Sequence, residues 1–214
     1  MRSLFLSFFG GGASRFSNTR IMGYALPMSS SFVYQPHVHQ SDGTVITPDI
    51  LIERVYASGA GNALAQAPVS RVTSATVLQQ SAGSPIGTPA IVMIAASYGL
   101  LVSVGAILED SLAVARAAWR FDDIRAAYDD IDLQSWTVQG GKRADFVSEK
   151  LSALMSPGEA MAALGNPSGL RPGTAVFVGH PAPLGESLSL ERFEVALKAP
   201  KSAIAYAVDI EAIG

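Results

Sequence analysis

The sequence predicts a β or α+β domain, on three observations. Hydrophobic residues make up 49% of the 214 and charged residues only 15%, against roughly 25% charged in an average domain. With 20 Gly and 12 Pro, such a chain is rich in turns and well buried. Ala90–Leu108 is an uncharged run dominated by Ile, Val and Ala. Near the C-terminus Phe193, Val195 and Leu197 alternate with Glu194 and Lys198, the period of a half-buried strand. The length suits one domain, or one domain with a small appendage.

Taken in order, Gly10-Gly11-Gly12 punctuates the N-terminus and Ser29-Ser30-Ser31 forms a loop after Pro27. Phe32–His39 reads as a strand that Pro36 forces to an edge. Thr47-Pro48-Asp49 supplies an N-cap hydroxyl, a proline at the first helical position and a first-turn acid. It predicts a helix through Ile52 and Val55 that stops at Gly59. Pro68–Gln79 is β-branched and reads as a strand, and Ser81–Pro89 as a loop. The run Ala90–Leu108 is long enough for a membrane span. Its Ile/Val content and the turn-like Ser97-Tyr98-Gly99 favour two buried strands, leaving the span as the minority reading.

Asp110–Tyr128, rich in Ala and Arg, is the clearest predicted helix. Arg116, Arg120, Asp123 and Arg125 lie between apolar Leu112, Ala115, Trp119 and Ala127, with a break near Phe121–Asp123. Leu133–Val138 follows as a strand, with Gly140-Gly141 as a hairpin turn. Ser156-Pro157-Gly158-Glu159 is a capping box opening a short helix that ends near Gly165. Thr174–Val178, Glu191–Lys198 and Ala203–Ile210 close the chain as strands.

Composition excludes several functions. Zero cysteine removes disulfides, thiol catalysis and Cys-ligated zinc, and fits a reducing, cytoplasmic setting. No basic stripe with interleaved aromatics is present, so nucleic acid is not an expected partner. Met1–Ala13 makes a poor signal peptide. Arg2, Arg15 and Arg20, with no acid before Asp42, mimic an organellar presequence. Residues 1–20 are read as a flexible or poorly matched N-terminus preceding a single domain, 21–214.

Acids are unevenly placed. Only Asp42, Asp49 and Glu53 precede residue 109, and the other 15 follow. His37 and His39, spaced to share one strand face, are candidate catalytic groups or metal ligands, with His180 as a possible third. A polar edge strand with two exposed histidines is the plainer reading of the pair. Glu109-Asp110 is a candidate metal or acid–base pair, or simply a helix N-terminal acid pair. Asp122-Asp123 and Asp129-Asp130-Asp132 read as a solvated face.

The stretch 117–213 carries a recognisable order. Ala118-Trp119-Arg120-Phe121-Asp122-Asp123-Ile124 is followed by Tyr128-Asp129 and Leu133-Gln134-Ser135-Trp136. Gly173-Thr174-Ala175-Val176-Phe177-Val178-Gly179, Gly185, Arg192-Phe193-Glu194-Val195-Ala196-Leu197 and Tyr206-Ala207-Val208 come after. This resembles an uncharacterised, mostly bacterial family related to the fumarylacetoacetate hydrolase fold, with weaker likeness at Ile21–Tyr34 and Gly87–Gly105. The resemblance implies an α+β domain with a large, mixed, rolled β-sheet and a few short helices, forming a homodimer. It implies a hydrolase, lyase or isomerase acting on an enolisable, carboxylated small molecule.

In the wider fold two glutamates and an aspartate hold a divalent metal that stabilises an enolate. Here the matching segments read Ile86-Gly87-Thr88-Pro89-Ala90 and Ala106-Ile107-Leu108-Glu109-Asp110, so both glutamates are lost and Asp110 is kept. A Mg²⁺ or Mn²⁺ site would have to be rebuilt on Glu109 and Asp110, with His37 or His39. Arg120, Thr174 and Arg192 are the substrate-binding candidates. The alternatives are a non-catalytic relative that keeps the fold for binding, and a histidine-ligated metal enzyme.

Overall fold

The computed structural model of the protein describes residues 31–58, 63–81, 87–166, 168–180 and 190–213. The expectations for residues 1–30, for a stop at Gly59 and for most of the Ser81–Pro89 loop lie outside the described residues.

Eight short or medium strands come first: β1 (Phe32–Tyr34), β2 (His37–His39), β3 (Val45–Ile46), β4 (Ile50–Ile52), β5 (Arg54–Ser58), β6 (Leu64–Ala67), β7 (Val72–Thr73) and β8 (Val77–Ser81). The long central strands are β9 (Thr88–Ala96), β10 (Gly99–Ile107) and β11 (Leu112–Arg120). Then come a helical turn α1 (Phe121–Ile124), β12 (Asp132–Gln139), β13 (Lys142–Lys150), α2 (Pro157–Ala163), β14 (Thr174–Gly179), β15 (Arg192–Ala199) and β16 (Ser202–Ile213).

A nine-stranded mixed sheet runs β3-β2-β11-β10-β9-β14-β5-β6, with β7 beside β11. A five-stranded sheet runs β13-β12-β15-β16-β8, and β1 and β4 form a two-stranded ribbon. The pairs β2–β11, β7–β11, β5–β14 and β8–β16 are parallel and the rest antiparallel.

The large sheet is covered on both faces, which explains the continuous apolar run at 90–108. One face, through Ile91, Val104, Ala106 and Ala113, packs on Leu133, Phe193, Val195 and Ile204 of the five-stranded sheet. The other, through Val92, Ile94, Leu101 and Phe177, packs on Tyr34, Ile50 and Ile52 of the ribbon. Helix α2 seats Ala160 against Met93, Val176 and Val178. The membrane alternative gives way to the strand pair β9–β10, and among the described residues no helix is long and apolar enough to cross a membrane.

Two predicted helices are strands. Thr47–Gly59 fails because the supposed cap residues are engaged across the chain: Thr47 Oγ1 bonds His37 Nδ1 at 3.1 Å, and Asp49 accepts from Gln35 Nε2 at 2.7 Å. Ile50 and Ile52 are buried while Leu51 is exposed, a strand's alternation. Asp110–Tyr128 fails because tertiary burial overrides alanine's helix propensity. Leu112 and Val114 face the ribbon while Ala113 and Ala115 face the five-stranded sheet, where small side chains let the layers approach. Helix begins only at Phe121, where the sequence suggested a break.

The expected edge strand Phe32–His39 is split by buried Pro36 into β1 and β2. Pro68–Gln79 becomes a 3₁₀ turn, Val69–Arg71, followed by β7 and β8. The capping box at Ser156, the glycine hairpin turn at 140–141 and the three closing strands form as expected.

Candidate functional site

Four strand ends meet at one mouth of the large sheet. Thr88, at the start of β9, stands opposite Ile107 at the end of β10, and Ala90 stands opposite Gly179 at the end of β14. Ser58 ends β5, which runs parallel to β14. A Cβ added at Gly179 would lie 2.9 Å from Ile107 Cδ1, 3.1 Å from Ser58 Oγ and 3.1 Å from Thr88 Cγ2. Those three side chains therefore converge on one point, and Ser58 Oγ is fixed there by accepting from Gly179 N at 2.7 Å.

The turn joining β10 to β11 sits beside this mouth, closed by Leu108 N donating to Ser111 O at 2.9 Å. It carries Glu109 and Asp110, both exposed. Arg71 fastens it, donating from Nη2 to Leu108 O at 3.0 Å and Glu109 O at 2.6 Å. Because β11 is a strand, the two acids cap no helix.

Immediately after β14, His180 N donates to Pro89 O at 2.9 Å, which ties His180 to the start of β9. Its Nε2 lies 2.9 Å from Glu149 Oε2 on β13 of the other sheet. The imidazole side chain is only 7% exposed, while Glu149 is 44% exposed. An ionised carboxylate only accepts, so Nε2 is the nitrogen that donates in this contact. A histidine held in one tautomer by a carboxylate is the arrangement of a general base.

The donors that the described residues bring to the mouth do not fit a divalent cation. Thr88 and Ala90 bring no carboxylate, and Ala90 is wholly buried. Among the described residues no three His, Asp or Glu side chains come together as a metal group.

The remaining candidates are dispersed. His37 and His39 flank buried Val38 on β2, both exposed as their spacing predicts, but they line different clefts. His37 and Arg192 share a cleft of about 900 Å³ with Arg116, Tyr206 and Asp209. His39 lines a second cleft, of about 510 Å³, with Trp119, Asp123 and Lys201. Arg120 ends β11, where its charge opposes the upward push of burial on the Tyr98 hydroxyl. Thr174 is buried at the start of β14, beside a recess with Arg54, Tyr56 and Arg171. That is the opposite end of the strand from His180, roughly 20 Å away at a strand's rise per residue. Asp122 pairs with Arg125 at 2.6 Å and Asp132 with Lys150 at 2.9 Å, as befits a solvated face.

Sequence reading missed Ser58, Glu149 and Arg116. Glu149 lies 31 residues from His180, on a strand whose polar pattern gives no hint of a partner in another sheet.

Comparison with solved structures establishes the fold. The chain is similar to 2-keto-3-deoxyarabinonate dehydratase, at 11% identity over 81% of this chain and 86% of that one, with a TM-score of 0.55. It is similar to Cg1458, at 11% identity over 79% and 80%, TM-score 0.52. It is also similar to a protein from Oleispira antarctica, provisionally described as a fumarylacetoacetate isomerase/hydrolase, at 10% identity over 81% and 99%, TM-score 0.56. At such identities the likeness is one of fold, and the α+β mixed-sheet architecture is that of the fumarylacetoacetate hydrolases. No curated protein matches the sequence. Residues 98–208, just over half of the chain, match the family described as a protein of unknown function, DUF2848, and the chain belongs to that family.

Proposed function

We propose that the protein is a small-molecule enzyme whose His180–Glu149 pair moves a proton on an enolisable, carboxylated substrate. The observation that carries this reading is the buried imidazole, held 2.9 Å from a carboxylate and tied through its backbone to the mouth where β9 begins. Two of the similar structures bear the names of a keto-acid dehydratase and an isomerase/hydrolase. Dehydration or isomerisation beside a carbonyl begins with loss of a proton from the adjacent carbon.

In this reading the His180 imidazole takes that proton, and the carbon–hydrogen electron pair becomes the enolate. Glu149 stabilises the imidazolium that forms. The proton then returns to carbon, giving exchange or isomerisation, or passes to a departing oxygen, giving elimination. No step is assigned to a divalent ion, since among the described residues no carboxylate or histidine set comes together to hold one. Asp110 is exposed on the turn beside the mouth, next to Glu109. Arg192 and His37 belong to a separate cleft.

The test is deuterium incorporation next to the carbonyl of a panel of 2-oxo acids in D₂O, followed by NMR. We expect saturable exchange that falls at least about 100-fold in His180→Gln, the usual range for a lost general base. Glu149→Gln should lose less. Exchange indifferent to His180→Gln would remove His180 as the base, and absence of exchange across the panel would instead favour a relative that keeps the fold only for binding.

A further inference from the structure

The His37–Arg192 cleft has a feature that the mouth does not explain. Between the partner pairs Ser103↔Ala118 and Gly105↔Val114, three residues of β11 (Ala115, Arg116 and Ala117) stand opposite the single Val104. Such a bulge strands backbone carbonyls inside a core and normally costs stability. Here two buried hydroxyls satisfy them. Tyr34 Oη donates to Ala115 O at 2.6 Å and Ser103 Oγ to Ala117 O at 2.7 Å. The bulge is thus built into the core from behind, and its effect is to turn Arg116 outward while Ala115 and Ala118 stay buried.

Arg116 then faces the cleft with no hydrogen bond or ion pair among the described residues. The other charges there are already matched. Asp209 Oδ1 accepts from Arg192 Nη1 at 3.1 Å, and Arg192 Nε donates to Glu194 at 3.0 Å. The Tyr206 hydroxyl is used on Ala75 O. From β2, whose His37 pairs in register with Ala117, the imidazole enters the same cleft with Nδ1 occupied by Thr47 Oγ1. Nε2 has no partner among the described residues, and Arg116 lines the same cleft.

We infer that this cleft is a binding site for a small oxyanion, a carboxylate or a phosphate group, anchored by Arg116 and oriented by His37. A guanidinium presents parallel donors that fit either group in bidentate fashion, and an uncompensated positive charge in a concave wall selects for the anion. A volume of about 900 Å³ accommodates a ligand of metabolite size around the anionic group. The site is independent of the proton-transfer reading, so the two stand or fall separately.

The test follows the imidazole Cε1–H resonances of the three histidines, assigned with His37→Gln, during titration with sodium succinate and, separately, inorganic phosphate. Sodium chloride at matched ionic strength is the control. The inference predicts a saturable shift of the His37 resonance with at least one of the two oxyanions and none with chloride. Whichever saturates at lower concentration identifies the group. Arg116→Gln, at an exposed position with no partner among the described residues, should weaken that binding at least about tenfold with an unchanged melting temperature, as expected for losing one charge-assisted contact. A His37 resonance that does not saturate with either anion, or that saturates equally in Arg116→Gln, overturns it.

Discussion

Ser103 Oγ donates to Ala117 O across 2.7 Å, joining β10 to the far side of the bulge in β11. Ser103 is fully buried, so water cannot replace it. Ser103→Ala leaves the Ala117 carbonyl without this donor and should lower stability by about 1–3 kcal/mol, the cost of an unmet buried polar group. Urea denaturation measures this directly. A loss below about 0.5 kcal/mol, the lower bound for an ordinary hydrogen bond, would show that the bulge does not depend on the serine.

Gly105 marks the other end of the bulge. A Cβ there would lie 2.0 Å from Ala113 O and 3.0 Å from Val92 Cγ2, so the backbone of β11 would have to move. Gly105→Ala should cost about 3 kcal/mol or more, at or above the upper end for overpacking a core. Gly158 is the control: a Cβ there meets only Ser156 Oγ at 3.9 Å, within helix α2. Gly158→Ala should gain up to about 1 kcal/mol by helix propensity. If both substitutions behave alike in thermal melts, the close approach at Gly105 is not what holds the strands in place.

These two positions also show what the sequence could and could not disclose. The pair β9–β10 was legible because burial on both faces leaves an uncharged run with a turn triplet in it. The capping box at Ser156 was legible because its chemistry is local. Strand β11 was not, since alanine suits helices and Arg116 and Arg120 stand four residues apart, the spacing of a helical polar face. The candidate site was harder still. His180 stood out as a histidine in a turn, but Glu149 becomes its partner only once two separate sheets are packed. The clustering of His37 with Arg192 likewise depends on how β2 and β15 are brought to one cleft.

The capping box gives a pH prediction with a definite sign. Glu159 accepts from Ser156 N at 2.8 Å, and hydrogen bonds to Ser156 hold its carboxyl below the ordinary value of 4.5. A group whose folded pKa is depressed contributes stability above its unfolded pKa and loses it as pH falls through the folded value. Wild type should therefore melt above Glu159→Gln at neutral pH, with the gap closing as pH drops below about 4.5. A gap that persists in strong acid would assign the effect to packing rather than charge.

Tyr128 offers the opposite case, a polar group that the core would do better without. Its hydroxyl is buried and has no hydrogen-bond partner among the described residues. Burial, reinforced by the negative charges of Asp129 and Glu159, holds it far above the ordinary phenol pKa, so it stays neutral at every working pH. The ring itself is well used, packing edge-on to Phe121 at 5.7 Å between centroids within the core beneath the five-stranded sheet. Tyr128→Phe keeps that contact and removes only the unmet hydroxyl, whose burial costs about 1–3 kcal/mol. The variant should accordingly be more stable by about 1 kcal/mol, allowing for the small cavity left behind. Calorimetry would show a raised melting temperature; a lowered one would mean that the hydroxyl has a partner in solution, such as an ordered water, that compensates its burial.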